Sequence, residues 1–232
     1  MMKFLAYIKY FFYLAFNWNI KIAAHILSQE IKGEKKYDIN TTGADELKSL
    51  EKKGIETDHS TIYMPVSYDL LQDLFKQLNQ LTNSQDAVHK PINHFLDIGC
   101  GKGRALCVAA HHGFNKVTGI DFSKEFCIAA EANLAITKQK IPDLQYKVIN
   151  NDAFYFEIPN DVDCIFMFNP FDDVILNGVA ENILESFEIN PRTITLIYVN
   201  PMYKEELLEV GFKQIYHTQK MKYLEATIFE MK

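Results

Sequence analysis

Three glycines and an acidic residue near the middle of the chain have the types and spacing of a nucleoside-binding site. Gly99, Gly101 and Gly103 lie between a short apolar run and a helical pattern. Glycine permits a tight turn and lets the backbone approach a ligand closely, while amide groups at the start of a helix face the same crevice. The next apolar run ends at Asp121, where a carboxylate can accept hydrogen bonds from both hydroxyls of a ribose. This spacing predicts binding of a cofactor that contains ribose.

Two further residues of the loop distinguish between cofactors of this kind. Dinucleotide-binding turns read GxGxxG, but Arg104 takes the place of the third glycine in this chain. Asp97, at the end of the preceding apolar run, would repel a pyrophosphate. Its carboxylate suits the ammonium group of an amino acid, directly or through water. The loop therefore favours S-adenosylmethionine over a nicotinamide dinucleotide.

Several segments resemble motifs of class I S-adenosylmethionine-dependent methyltransferases over about residues 60–232. The string LDIGCGKG at 96–103 is similar to their first motif, GIDFS at 119–123 to their second, and NDAF at 151–154 to the segment that contacts adenine. In that last segment of the family, an acidic side chain commonly accepts a hydrogen bond from the exocyclic amine of adenine, and the backbone of the next residue also contacts the adenine. The resemblance implies S-adenosyl-L-methionine as cofactor, bound by Asp97, Gly99, Gly101, Gly103, Asp121, Phe122, Asp152, Ala153 and Asn169.

The fourth apolar run leads into a second candidate site. Asn169 and Pro170 place an amide side chain and an unpaired carbonyl at the end of this run, followed by Phe171. The amide oxygen and the carbonyl oxygen can accept hydrogen bonds from an amine and aim its lone pair at a methyl group. The ring of Phe171 would stack on the acceptor or screen the site. The string resembles the Asn-Pro-Pro-aromatic signature of amino-group methyltransferases, with one proline where that signature has two. The alternative is a tight turn before a helix, with Asp172 or Asp173 as its cap.

Upstream, Tyr63 and Pro65 resemble the Tyr-x-Pro segment that precedes the cofactor motif in Rossmann-type lysine methyltransferases. The alternative for this tyrosine is ordinary packing. We therefore predict Asn169, Pro170, Phe171 and Tyr63 as catalytic residues. No side chain stands out as a general base, and no metal site is expected. The resemblance places a protein side chain or a small molecule among the methyl acceptors.

The net charge of the chain bears on which methyl acceptors it can bind. The formal net charge is −6 and the pI about 5.7, whereas a protein that grips nucleic acid usually presents a basic surface. A nucleic acid is therefore a disfavoured acceptor, although base N-methylation remains an alternative. Two more classes of protein compete with a methyltransferase: a nicotinamide-dependent oxidoreductase and a non-catalytic Rossmann domain. Retention of both acids, the three glycines and Asn169 argues against the non-catalytic domain.

Apolar runs that alternate with helical patterns predict an α/β fold. We expect a Rossmann-like sheet of seven mostly parallel strands that ends in an antiparallel hairpin, with helices on both faces. Residues 61–232 would form this domain and residues 1–60 an N-terminal helical extension, with 32–62 mainly a polar connection broken by Gly33, Gly43 and Gly54. Pro65 would open the helix before the cofactor motif. The four cysteines have no CxxC spacing, which indicates buried thiols.

The aromatic N-terminal segment allows two interpretations. Phe4, Ile8, Phe11, Phe12 and Ala15 recur at helical spacing, but Lys9 interrupts the run and leaves it too short to span a bilayer. We expect a helix in this segment and packing of residues 4–27 on the chain's own domain or on a partner, in a cytoplasmic protein. Peripheral contact with a membrane surface through the same residues is the alternative.

Overall fold

The computed structural model describes residues 2–17, 19–42, 64–82, 92–169, 172–220 and 224–232. Within them, seven strands form one sheet. In chain order they are β1 (His94–Ile98), β2 (Lys116–Asp121), β3 (Gln145–Asn150), β4 (Cys164–Phe168), β5 (Ile194–Val199), β6 (Lys213–Lys220) and β7 (Leu224–Met231). Their spatial order is β3-β2-β1-β4-β5-β7-β6. The first five are parallel, and β7 runs antiparallel to both β5 and β6, which confirms the predicted sheet.

The described helices are α1 (Met2–Asn17), α2 (Ile20–Tyr37), α3 (Tyr68–Thr82), α4 (Arg104–His111), α5 (Lys124–Lys140), α6 (Asp173–Ile189) and α7 (Lys204–Glu209). A single turn of 3₁₀ helix, Ala153–Tyr155, follows β3. Pro65 does not open α3, which begins three residues later at Tyr68. The four cysteines are buried and unpaired, as predicted.

Two apolar clusters cover the two faces of the sheet. Leu74, Leu106 and Leu134, from α3, α4 and α5, belong to one cluster. Helices α6 and α7 contribute to the other. Phe95 and Leu96 are neighbours in β1 but lie in different clusters, because successive side chains of a strand point to opposite faces. The strand order reverses between β1 and β4, and ligands of open α/β sheets bind at this switch point, beyond the carboxyl ends of the strands.

The N-terminal helices pack against each other and on the sheet domain. Asn19 begins α2 by accepting the backbone N–H of Ile22 at 2.9 Å. Helix α2 continues to Tyr37, so the prediction that residues 32–62 begin a connecting region was wrong for the first six of them. Gly33 does not break the helix. A Cβ at that position would lie 2.2 Å from the ring of Tyr68, so the missing side chain lets α2 pack closely on the start of α3.

Among the described residues, no helix is long and apolar enough to cross a membrane. Residues 43–62, to which the rest of the predicted connection was assigned, lie outside the described residues.

Candidate cofactor and acceptor site

The glycine loop takes a backbone conformation that L side chains rarely adopt. Gly99, Gly101 and Gly103 have φ angles of 78°, 52° and 79°. Gly103 directly precedes α4, and a Cβ there would lie 3.0 Å from the Cβ of Ala130. The loop therefore needs glycine for its dihedral angles and, at Gly103, also for space. It leads from the end of β1 to the first turn of α4, at the switch point of the sheet.

Asp121 ties the end of β2 to this loop. Its Oδ2 accepts the backbone N–H of Gly101 at 2.8 Å, and its Oδ1 accepts that of Ser123 at 2.9 Å. Burial raises the pKa of this carboxyl to about 6, although both backbone hydrogen bonds favour the ionised form. An ionised carboxylate has about four acceptor positions, so each oxygen can still accept a hydrogen bond from a ligand.

Asp97 is a second buried carboxyl next to the loop, with a residue exposure of 3%. Burial, followed by the negative charge of Asp121, raises its pKa well above the usual range. Two buried acids beside amide-lined glycines suit a ligand with an ammonium group and hydroxyls, and they disfavour a pyrophosphate. The chemistry of these groups thus fits S-adenosylmethionine better than a nicotinamide dinucleotide.

The ends of β2 and β3 are held together beside the glycine loop. The side-chain amide of Asn150 donates to the backbone oxygens of Asp121 and Phe122 at 3.0 and 2.8 Å. Asp152 caps the 3₁₀ turn by accepting the N–H of Phe154 at 2.9 Å. Asp152 therefore has the structural role of a cap, and the oxygen that the cap does not use is available to a ligand. The predicted adenine segment starts where β3 ends.

Next to the glycine loop lies a buried ion pair, Arg104 with Glu30, which the sequence analysis did not predict. Arg104, the first residue of α4, donates through Nη1 to Oε1 of Glu30 at 2.7 Å, and it forms a second bond from Nη2 to Oε2. Its Nε donates to Oγ1 of Thr41 at 2.8 Å, and Nη1 also donates to the carbonyl of Val66. The guanidinium lies 4.1 Å from the ring centroid of Tyr68. Arg104 thus joins the N-terminal segment to the helix that follows the glycine loop.

Asn133 of α5 makes a second link of this kind. Its Oδ1 accepts the N–H of Asn40 at 2.9 Å, and its Nδ2 donates to the carbonyl of Lys102 at 2.9 Å. One side chain therefore contacts both the residues after α2 and the glycine loop. Neither Glu30 nor Asn133 belongs to a motif, so local sequence gave no signal for either.

Asn169 lies at the end of β4 with a left-handed φ of 36°, a conformation that asparagine tolerates better than most residues. The hydroxyl of Tyr198, near the end of the adjacent strand β5, donates to its Oδ1 at 3.2 Å, and its Nδ2 donates to Sδ of Met202 at 3.2 Å. These contacts fix which way the amide points. Sequence reasoning missed Tyr198, because a tyrosine inside an apolar strand looks like core.

The helix cap proposed as the alternative for this segment is present. Asp172 begins α6 by accepting the N–H of Ile175 at 3.2 Å. The turn after β4 therefore does start a helix, and this role is compatible with a substrate role for Asn169, which precedes it. The predictions for Tyr63, Pro170 and Phe171 lie outside the described residues. No cluster of metal-ligating side chains occurs in the described part of the chain.

Comparison with known proteins identifies the class. Residues 95–186 match a family model described as a methyltransferase domain. The methyltransferase domain of bacterial CtHen1-CN has a similar structure, with a TM-score of 0.50 and 14% identity over 69% of this chain and 98% of that one. The glycopeptide N-methyltransferase MtfA, solved with S-adenosylmethionine, gives a TM-score of 0.50 and 12% identity over 68% and 92%.

A third similar structure is an S-adenosylmethionine-dependent O-methyltransferase from Thermotoga maritima, with a TM-score of 0.50 and 16% identity over 72% of this chain and 66% of that one. Comparison with curated proteins gives no significant match. The fold is thus common to enzymes that methylate nitrogen and enzymes that methylate oxygen. The sheet order, the glycine loop and the family match over residues 95–186 support the assignment of this chain as an S-adenosylmethionine-dependent methyltransferase with a Rossmann-like fold. S-adenosylmethionine is its methyl donor, which disfavours the interpretations as a nicotinamide-dependent oxidoreductase and as a non-catalytic domain.

Proposed function

We propose that this methyltransferase transfers its methyl group to an amino or amide nitrogen, on a protein side chain or a small molecule. The observation that carries the proposal is the position of Asn169. It follows β4 at the switch point, where the reacting end of the cofactor would lie, and its amide is oriented by the hydroxyl of Tyr198.

The cofactor roles that we propose follow the chemistry of the side chains. Asp97 would hold the ammonium group, and Asp121 would accept the ribose hydroxyls while it keeps the loop amides in place. The amides of the glycine loop would face the methionine part of the cofactor. Phe122, whose ring is partly exposed, and the turn at Asp152 and Ala153 would contact the adenine. Asn169 would border the end of the crevice where the methyl group is transferred.

The acceptor side follows from the hydrogen-bonding capacity of Asn169. Tyr198 uses one lone pair of Oδ1, and a carbonyl oxygen has two. We propose that Oδ1 also accepts an N–H of the acceptor and so aims the nitrogen lone pair at the methyl group. Pro170 supplies a carbonyl and Phe171 a ring in the sequence that follows. Together with Tyr63, they remain predictions from the sequence.

This chemistry asks for alignment rather than for acid–base catalysis. When bound, S-adenosylmethionine supplies an electrophilic methyl group, so correct orientation accounts for much of the rate. A primary amine must be neutral to attack, and a desolvated site favours its neutral form. We therefore assign Asn169 the role of holding the acceptor and name no general base.

The test incubates the full-length enzyme with methyl-labelled S-adenosylmethionine and a lysate, then separates protein, nucleic acid and small molecules. Acid hydrolysis and mild base distinguish N-methyl groups from methyl esters, which release methanol. We expect label in N-methyl products. Label in esters or oxygen ethers would contradict the nitrogen acceptor.

The matched variants are Asn169→Ala and Asn79→Ala, the second on the exposed side of α3. Asn169→Ala should reduce turnover by about two orders of magnitude, the scale of lost alignment. It should leave the affinity for S-adenosylhomocysteine nearly unchanged, and Asn79→Ala should change neither. Turnover of Asn169→Ala at the full rate would show that this asparagine only shapes the turn before α6.

A further inference from the structure

Helices α1 and α2 pack against each other as an antiparallel hairpin that is anchored to the sheet domain at one end. The hydroxyl of Tyr7 donates to Oε2 of Glu34 at 2.7 Å, so the start of α1 lies beside the end of α2. Glu34 is part of the buried region around Arg104, which anchors this end of the hairpin to the domain. Between the helices, Tyr10, Leu14 and Ala23 form a small apolar cluster of their own. The end of the hairpin near residues 16–20 is the part farthest along the chain from these anchors.

This end carries an exposed apolar row. Phe12 is 66% exposed, Phe16 92% and Ile20 69%. Ile8, Phe12 and Phe16 are four residues apart, so they share one face of α1. The hairpin has already buried its inner face in the cluster around Leu14. The outer row is therefore a second apolar surface, of the kind that marks contact with a partner or a membrane.

In the hairpin, the described basic side chains are exposed and the acidic side chains are buried. The lysines of described side chains in α1 and α2 are all exposed: Lys9, Lys21, Lys32, Lys35 and Lys36. The acidic residues of the two helices, Glu30 and Glu34, are both buried in the contacts to Arg104, Thr41 and Thr42. The outer surface of the two helices is consequently basic, in a chain of net charge −6.

We propose that the exposed end of the hairpin docks on an anionic membrane surface. Phe12, Phe16 and Ile20 would enter the interface between headgroups and acyl chains, while Lys9 and Lys21 would remain at the headgroup level and face acidic phospholipids. The helices lie at the interface and do not span it. This inference is independent of the acceptor atom, because it depends only on the surface of α1 and α2.

Charge favours lipid over a second copy of the chain as the occupant. A symmetric dimer built on this row would bring the same patch of both copies together. The lysines that flank the row would then face each other, and like charges across an interface oppose association. An acidic lipid surface meets the same lysines with opposite charge.

The test measures co-sedimentation of the full-length protein with vesicles of phosphatidylcholine alone and of phosphatidylcholine mixed with phosphatidylserine. The single tryptophan of the chain, Trp18, stands between Asn17 and Asn19 in the sequence, so its emission reports on this part of the chain. We expect binding and a blue-shifted emission with the anionic vesicles, weakened by salt and much weaker with the neutral ones.

The variants are Phe12→Ser with Phe16→Ser, and Ile189→Ser as the control. Ile189 is also exposed but lies at the end of α6. The double variant should lower the vesicle partition coefficient about tenfold or more, the scale of exposing a buried aromatic side chain, and it should still bind S-adenosylhomocysteine. The control variant should partition like the wild type.

Absence of wild-type binding to the anionic vesicles would overturn the proposal, and so would binding that the double variant retains in full. Light scattering tests the other possible occupant of the row, a second copy of the chain. If the wild type is a dimer that the double variant converts to a monomer, and neither binds vesicles, the row contacts a second copy and the membrane assignment is wrong.

Discussion

The backbone N–H of Gly101 donates to Oδ2 of Asp121 at 2.8 Å, which joins the cofactor loop after β1 to the acidic end of β2. The carboxylate that we expect to hold the ribose therefore also holds the loop that would face the rest of the cofactor. Any change at Asp121 acts on both.

Replacing Asp121 by alanine should weaken binding of S-adenosylhomocysteine strongly. Each hydrogen bond to a charged group is worth about 1.5–3 kcal/mol, so the loss should be at least about tenfold in affinity. Calorimetric titration of Asp121→Ala and of Asp143→Ala, which changes an exposed loop acid, measures the difference. Equal affinities for these variants, with unchanged circular dichroism, would remove the ribose role of Asp121.

Cofactor affinity should rise with pH through about 6. The pKa of Asp121 is raised to about 6, and that of Asp97 is also raised, in both cases mainly by burial. Below these pKa values the carboxyls are protonated and accept fewer hydrogen bonds. An ammonium group and hydroxyls stabilise the ionised forms, so binding lowers the pKa values and releases protons. Affinity should then increase by up to about tenfold per pH unit for each group that titrates.

Calorimetry in two buffers with different ionisation enthalpies counts these protons. We expect net proton release near pH 6 that falls as the pH rises and the carboxyls ionise before binding. In Asp97→Asn the release should be smaller. Proton uptake in this range, or an affinity that falls with rising pH, would contradict the role of the two acids.

The buried pair of Arg104 and Glu30 should matter for stability and for the cofactor. Removing one partner of a buried ion pair costs about 3–5 kcal/mol, because the other charge stays buried. Glu30→Ala should lower the free energy of unfolding by that amount, measured by denaturant titration. Lys232→Ala removes a partly exposed contact to Glu230 and should cost less than about 1 kcal/mol.

Glu30→Ala should also weaken binding of S-adenosylhomocysteine, since Arg104 follows Gly103 directly. Glu30→Gln, which keeps an oxygen for the guanidinium, should restore part of the affinity. Cofactor binding that is identical in wild type and in folded Glu30→Ala would show that the pair only joins the N-terminal helices to the domain.

Tyr198 should act as a positioning residue for the acceptor. Tyr198→Phe removes the hydroxyl that donates to Asn169 and keeps the ring in the core. Because the amide then loses one of the contacts that orient it, we expect kcat to fall about tenfold, which corresponds to about 1.4 kcal/mol. The affinity for S-adenosylhomocysteine should not change. Tyr216→Phe, in the edge strand β6, is the control, and equal kcat for the two variants would contradict the role of Tyr198.

The sheet and the cofactor loop could be predicted because their signals are local. Apolar runs separated by helical patterns define parallel strands, and the loop and Asp121 each follow such a run directly. The contacts around Arg104 could not be predicted, since its partner Glu30 lies 74 positions away and nothing in a helix marks one glutamate as buried. Tyr198, 29 positions from Asn169, was hidden for the same reason.

The N-terminal segment shows the limit of periodicity as a signal. Helical spacing predicts an apolar face, and the expected packing is present for Phe11 and Ala15, which lie against the cluster of Tyr10, Leu14 and Ala23. It does not extend to Phe12 and Phe16, which lie outward on the same helix. Aromatic residues occur on both sides of α1, so the pattern alone did not separate the buried face from the exposed one.

Calorimetric titration of the full-length chain with S-adenosylhomocysteine, and separately with NAD, tests the central claim most directly. The crevice formed by Asp97, the glycine loop and Asp121 should bind S-adenosylhomocysteine at a single site, and a micromolar dissociation constant would correspond to about −8 kcal/mol. NAD should give no heat of binding, because its pyrophosphate would face the two acids. Asp97→Asn should weaken the binding of S-adenosylhomocysteine at neutral pH. Binding of NAD without binding of S-adenosylhomocysteine would contradict the account.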